Sequence, residues 1–224
     1  VTLPDSIEYI GEGAFAYTSI QRFNIPQKVD YVSSKMFAGS PIKNFTVSPY
    51  NEYYKAVDGF VYSKDMTELV VAPAGKWLDN SSYSYTIPSS VTTIMPYAFM
   101  GVQLNSITIP SNVRVIKQMA FCGTSLSRIY FRNGIEMLYD SVFLDCPKLT
   151  FVHLPSSLKY VGSYTFGYNN AIDYDSIAVM LKREGISYKP LTEDNVEYYL
   201  EILGYTIDQF YIPFSNSSFQ IFAP

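Results

Sequence analysis

One spacing governs most of this chain. A segment of the form I/L/V-x-x-I/F/V-x-I/L/V-P is followed by apolar residues three and six places after the proline, and by a phenylalanine eleven places after it. The proline position falls at Pro4, Pro26, Ser48, Pro88, Pro110, Arg132 and Pro155, so the steps are 22, 22, 40, 22, 22 and 23. The phenylalanines keep the same beat at Phe15, Phe37, Phe99, Phe121, Phe143 and Phe166. A unit this short cannot bury its own apolar face, so successive copies must stack and share one core. Such a fold is a binding surface by construction.

Within a unit, Leu104-Asn-Ser-Ile-Thr-Ile-Pro110 shows how the coil is built. Ile107 and Ile109 alternate with Ser106 and Thr108, the period of a short strand with one buried face. Pro110 lacks an N–H and ends the ladder. Val113 and Ile116 return inward from an irregular turn, and Ala120-Phe121 closes the coil. A period in the range of about 20–29 residues with this pattern predicts a leucine-rich repeat, an α/β-type solenoid. The expected strands are short and parallel, near residues 20–25, 42–47, 84–87, 106–109, 128–131 and 151–154, in one sheet. The stretch 1–170 is assigned to the solenoid.

The step of 40 residues carries an insertion over about 53–76. Gly59–Tyr62 and Leu69–Ala72 are apolar, and the polar residues Ser63–Glu68 separate them. This predicts a β-hairpin that projects from the stack. Beyond Phe166 the repeat stops. Ile177, Met180 and Leu181 share one face of a predicted helix over 175–185, ended by Gly185. Val196, Tyr199, Leu200 and Leu203 share a stripe over 192–204. A last coil exposes core, so 171–224 is assigned to a C-terminal helical cap.

The runs Ile87–Gly101 (IPSSVTTIMPYAFMG), Ile109–Ile129 (IPSNVRVIKQMAFCGTSLSRI) and Leu154–Tyr168 (LPSSLKYVGSYTFGY) resemble the BspA-type leucine-rich repeat. The segment Val57–Lys76 resembles an insertion common in that family. Ser48 and Arg132 replace the proline, and the usual glycine after the second apolar position stands only at Gly11 and Gly162. The resemblance covers about 1–168 and implies a secreted or cell-surface protein of a host-associated microbe, several relatives being adhesins. It implies as partner an extracellular protein or glycan of host or other microbe.

Composition agrees with a binding role and narrows it. A net charge of −4 gives no reason to expect nucleic acid. No apolar run approaches the roughly 18–20 residues of a membrane span, so any membrane contact is expected only through parts absent from this chain. The chain starts at Val1 inside a repeat and reads as a processed or excised piece. Twenty-one tyrosines are available for contact surfaces.

Catalytic constellations are hard to assemble. His153 is the only histidine and faces outward by strand alternation. Cys146 falls where the family it resembles places an inward residue that bonds neighbouring turns, so the resemblance implies a structural thiol, and Cys122 is out of alignment with it; free, buried thiols are expected over a disulfide between adjacent coils. One histidine and two separated cysteines cannot complete a zinc tetrahedron, and Asp173-Tyr-Asp175 lacks calcium-loop spacing. No cofactor is expected. The sequons Asn44-Phe-Thr46, Asn80-Ser-Ser82 and Asn216-Ser-Ser218 matter only in a secreting eukaryote.

The outward strand positions are Arg22/Asn24, Asn44/Thr46, Ser84/Thr86, Ser106/Thr108, Arg128/Tyr130 and Phe151/His153. They change from small and polar to aromatic and cationic. Arg128, Tyr130, Phe151 and His153, with Ser106 and Thr108 beside them, are the candidate ligand-binding residues. Phe151 has a second reading, packing beneath the cap. The expected function is a non-enzymatic surface or secreted binding module. The alternatives are a structural spacer carrying another domain, or an enzyme using the C-terminal segment.

Overall fold

The computed structural model describes residues 3–78, 84–149, 151–166, 181–182, 184–190 and 193–204. Numbered along the chain, the strands are β1 Arg22–Ile25, β2 Asn44–Val47, β3 Tyr54–Val57, β4 Phe60–Ser63, β5 Glu68–Val71, β6 Thr93–Ile94, β7 Ser106–Ile109, β8 Val115–Ile116, β9 Arg128–Phe131, β10 Met137–Leu138, β11 Phe151–His153 and β12 Tyr160–Val161. Helix α1 spans Glu193–Ile202.

The repeat folds as a solenoid in which a regular coil gives two strands, one before the proline position and a two-residue one after it. Alternation decides the faces: Ile107 and Ile109 are buried, while Ser106 and Thr108 are exposed. The 22-residue step then sets the register. β7 and β9 pair in parallel as Ile107↔Ile129 and Ile109↔Phe131, so each column holds one kind of residue. On the turn side the phenylalanines form a column of near-parallel rings. Phe99–Phe121, Phe121–Phe143 and Phe143–Phe166 lie 4.7, 5.4 and 5.4 Å apart. Backbone rungs accompany them, from Phe99 N to Ala120 O at 2.7 Å and from Phe121 N to Val142 O at 2.9 Å.

The turn also imposes backbone conformation. Gly101 and Gly123 have φ of 71° and 67°, and Asp145, one coil on, is held at 55°. Four places earlier, Tyr97, Met119, Ser141 and Tyr164 all lie between 53° and 62°. A left-handed residue with a side chain costs roughly 1–2 kcal/mol. Stacking against both neighbours therefore overrides local preference here.

Cys146 belongs to a second inter-coil device. Its thiol donates to Phe121 O at 3.1 Å and lies 3.1 Å from Thr124 Oγ1. Ser40 makes the same pattern in the N-terminal coils, donating to Phe15 O at 2.6 Å and lying 3.0 Å from Thr18 Oγ1. The thiol thus stands where a hydroxyl serves equally well, as expected of a structural cysteine. Cys122 and Cys146 form no disulfide with each other.

The insertion departs from the sequence expectation. It does not project as a hairpin. β3, β4 and β5 form an antiparallel meander, and β5 pairs in parallel with β6 (Glu68↔Thr93, Leu69↔Ile94). The meander thereby ends a seven-stranded sheet, in the order β12-β10-β8-β6-β5-β4-β3. Strands β4 and β5 are buried on both faces, while β3 at the edge is only partly covered. Phe60, Tyr62 and Leu69 join the core of the C-terminal coils, while Val61, Val70 and Val71 join that of the N-terminal coils. The physical reason lies in the unbroken apolar runs Phe60–Tyr62 and Leu69–Ala72, which do not alternate and so need cover on both sides.

The single continuous sheet is also corrected. β1 pairs only with β2, and β7, β9 and β11 form a separate three-stranded sheet. Ser84–Ile87 keeps the alternating burial but forms no strand. The far edge of β2 meets the insertion instead: Phe45 N donates to Gly59 O at 3.1 Å. Tyr85 is held by its ring, stacked on Phe60 at 4.0 Å, and its hydroxyl lies 2.6 Å from that of Tyr62.

Three residues join the meander to the coils. A Cβ on Gly75 would lie 2.4 Å from Pro41 O, and Gly75 N donates to Ile42 O at 2.7 Å, so only glycine fits. Gly59 packs on Asn44 in the same manner, with φ of 80°. Asn51 is fully buried. It donates to Pro26 O and Val29 O at 2.8 and 2.9 Å and accepts from the amides of Tyr53 and Tyr54 at 2.9 and 2.8 Å.

At the C-terminal end, Leu181, Tyr199 and Leu200 are buried in the cluster that holds Leu158 and Phe166. Leu181 and Lys182 are helical. That helix ends as Ile186 N bonds Leu181 O at 2.8 Å with Gly185 at φ 68°, a Schellman closure. The rest of the helix expected over 175–185, and everything expected after 204, lie outside the described residues. So do Asn80, Asp173, Asp175 and Asn216.

Candidate binding face on the strand ladder

The candidate residues converge because the coils are in register. Pairing places Ser106 beside Arg128 and Arg128 beside Phe151; it places Thr108 beside Tyr130 and Tyr130 beside His153. These six backbone positions form a grid of two rows across three strands. With strands about 4.8 Å apart and same-face residues about 6.8 Å apart, the grid measures roughly 10 by 7 Å. Ser106, Thr108 and Arg128 are exposed, and Tyr130 is 44% exposed. The backbone of Phe151 and His153 lies in this register; their side chains are outside the described residues.

Beneath this face the column of Ile107, Ile129 and Val152 is buried, which fixes the strand orientation. Among the described residues, neither the Arg128 guanidinium nor the Tyr130 hydroxyl has a hydrogen bond or ion pair. The corresponding face of β1 and β2 differs. There the polar groups satisfy one another, Thr46 donating to Asn24 Oδ1 at 2.9 Å. The C-terminal part of the ladder therefore offers a planar cation, an aromatic ring and two hydroxyls whose donors point to solvent.

The groups that could support covalent or metal chemistry stand elsewhere. Burial pushes the Cys146 thiol up to about 11, with Thr124 lowering it only in part. Burial also raises Cys122. Neither supplies thiolate near neutrality. Among the described residues no group of His, Cys, Asp and Glu is placed to hold a metal ion. Likewise, no helix among them is long and apolar enough to cross a membrane.

One concavity escaped the sequence reading. An apolar groove of about 200 Å³ separates the turn at Phe37–Ile42 from Met100–Gln103, floored by Val71 and Ala72. It exists because the meander replaces one coil's strands but not its turn. Tyr17 N and Gly101 N each donate to the next turn, to Ala38 O and Cys122 O. Gly39, in the equivalent place, has no next turn to meet. The 40-residue step was the signal, since it omits one phenylalanine of the column.

The sequence matches the family described as BspA type leucine rich repeat region, in six copies over residues 1–69 and 77–183. Among solved structures, the pneumococcal vaccine antigen PcpA is 27% identical with a TM-score of 0.58, over 67% of this chain and 37% of that one. A leucine rich cell surface protein from Faecalibacterium prausnitzii A2-165 is 25% identical with a TM-score of 0.52, over 77% of this chain and 52% of that one. The chain thus spans between about a third and a half of those longer proteins. No curated protein matches the sequence. The family and these neighbours are repeat scaffolds, and the match covers most of the coils described above: the chain belongs to the BspA-type leucine-rich repeat family.

Proposed function

We propose that this chain is a non-enzymatic binding module, displayed at a cell surface or secreted, that recognises an extracellular protein or glycan of a host or another microbe. The observation that carries this reading is the pair Arg128 and Tyr130. Both are exposed on the central strand of a rigid three-stranded sheet, in register with Ser106 and Thr108, and without an intramolecular partner among the described residues. Arginine and tyrosine anchor interfaces because they combine flat contact area with directional donors. Rigid strands hold them before the ligand arrives, which lowers the ordering cost. The solved relative described as a cell surface protein supports the location.

The test is binding to arrays of extracellular-matrix proteins and mucosal glycans, repeated with variants. Tyr130→Ala combined with Arg128→Ala is expected to weaken the captured ligand by at least about 2 kcal/mol, and Thr46→Ala to leave it unchanged. Equal binding by the double variant would move the site away from this face.

A further inference from the structure

The segment that follows the proline position in each coil carries its own columns, and these differ sharply along the molecule. Four residues after the proline position stand Glu8, Asp30 and Glu52 in the N-terminal coils, then Thr92, Arg114, Glu136 and Lys159. In the C-terminal coils this column has two cations bridged by one acid: Glu136 accepts from Arg114 at 3.2 Å and from Lys159 at 2.8 Å. The N-terminal column is three carboxylates in succession. Only Glu8 has a cation, Lys28 at 2.9 Å. Among the described residues, Asp30 and Glu52 have none.

The next column is aromatic. Tyr9, Tyr31 and Tyr53 follow the acids one residue later, 68%, 40% and 49% exposed, and Tyr50 is 73% exposed nearby. Exposed aromatic faces repeated at the coil spacing are a patch that water does not favour. Two of the rings, Tyr50 and Tyr53, line one open cleft of about 380 Å³ together with Glu8, Lys28, Asp30 and Glu52.

We propose that this acidic, tyrosine-lined face of the N-terminal coils is a docking site for an extended segment bearing arginine or lysine at alternate positions. Charge complementarity selects the occupant. Three carboxylates against one lysine leave the cleft with two negative charges in excess, and tyrosine faces attract cations through their ring quadrupoles. Spacing agrees. Three coils span roughly 10 Å, and same-side residues of an extended segment lie about 7 Å apart, so two basic side chains fit along the column. This surface lies outside the sheet that carries Arg128 and Tyr130 and does not depend on them.

The experiment is fluorescence anisotropy on the full chain with a short fluorescein-labelled peptide having arginine at alternate positions, beside a version with serine in their place. The arginine peptide is expected to bind and the serine peptide not. Asp30→Asn with Glu52→Gln, and separately Tyr50→Ala with Tyr53→Ala, are each expected to weaken binding about tenfold or more. The tyrosine pair is decisive because it leaves every charge in place. Undiminished binding by that variant would reduce the effect to diffuse attraction and overturn the site. Equal binding of both peptides, or displacement by a neutral oligosaccharide at the same affinity, would also overturn it. Tyr130→Ala with Arg128→Ala should leave the peptide affinity unchanged; loss there would place the peptide on the other sheet and refute the assignment. Unchanged thermal unfolding of each variant confirms that surface groups alone were altered.

Discussion

The four C-terminal coils and the seam at residues 48–88 solve one problem in different ways. In the coils, each side chain meets its own kind in the next copy, and the same rungs recur at every step. Register spreads most of the interaction over columns, the exceptions being Gly134 and Gly162, where a Cβ would lie 2.1 Å from Ser111 O and 2.5 Å from Asp140 N. At the seam the repeat is broken, and the meander is tied in by contacts that occur once, Gly75 on Pro41, Gly59 on Asn44 and Tyr62 with Tyr85, and by Asn51, which is more deeply buried than its counterpart in the coils. Side chains stacked in columns tolerate substitution better than those at a unique junction.

Two glycines put that contrast at its sharpest. Gly75→Ala drives a Cβ into the backbone of Pro41, whereas Gly101→Ala meets no atom within 4 Å and strains only its φ of 71°. The expected losses are more than about 3 kcal/mol for the first and about 1 kcal/mol for the second, read from urea unfolding midpoints. Similar values for both would mean that the seam is no more constrained than a coil.

The asparagines give the next largest difference. Asn51→Ala removes four bonds from a buried site and strands two carbonyls, for an expected 2–4 kcal/mol, roughly. Asn112 brackets the preceding turn in the same manner, donating to Pro88 O and Val91 O at 3.2 and 2.5 Å, but it is only half-buried. Water can replace it there, so Asn112→Ala should cost about 1 kcal/mol. Calorimetry of the two variants would settle the order.

The smallest effects are titrations, with opposite signs at one residue in each region. At the tip of the meander, Asp65 accepts from Ser63 Oγ, Thr67 N and Thr67 Oγ1, which hold its carboxyl down from 3.8 to about 2. Its contribution is present above pH 3.8 and fades as pH falls through about 2. Cys146 behaves inversely. Its thiol is raised from 9.0 to about 11, so stability is full below pH 9.0 and declines as pH rises through about 11. Asp65→Asn should flatten the acid limb alone, and Cys146→Ser the alkaline limb alone. Unaltered limbs in these variants would assign the titrations to other groups.

How much of this was legible in the sequence follows from the same division. Strands β1, β2, β7, β9 and β11 lie within or beside the predicted segments because alternation and proline spacing act locally. The exposure of Ser106, Thr108, Arg128 and Tyr130 followed from that alternation. The seam was misjudged. Polar Ser63–Glu68 marked a turn correctly, but nothing local says whether a hairpin stands in water or between two cores. The apolar runs at Phe60–Tyr62 and Leu69–Ala72 carried that information, because a strand with one wet face would alternate. β3 was missed because Tyr54–Val57 has a mixed composition and becomes a strand only by pairing with β4. The acidic and tyrosine columns were visible at a step of 22, yet they lie outside the strand motif that drew attention.

The seam also bears on the order of folding. A rung between regular coils closes a loop of 22 residues, as Ser127 does on Asn105. Across the seam, Ser34 Oγ reaches Ala98 O over 64 residues. Closing the longer loop costs about 1 kcal/mol more in chain entropy, and it is recovered only after the meander has paired. Nearest-neighbour growth therefore proceeds readily within the C-terminal coils and halts at residue 88 until β5 docks on β6. The molecule accordingly has two cooperative units joined by a late step. Hydrogen exchange should show the amides of β1 and β2 opening together, before those of β7 and β9.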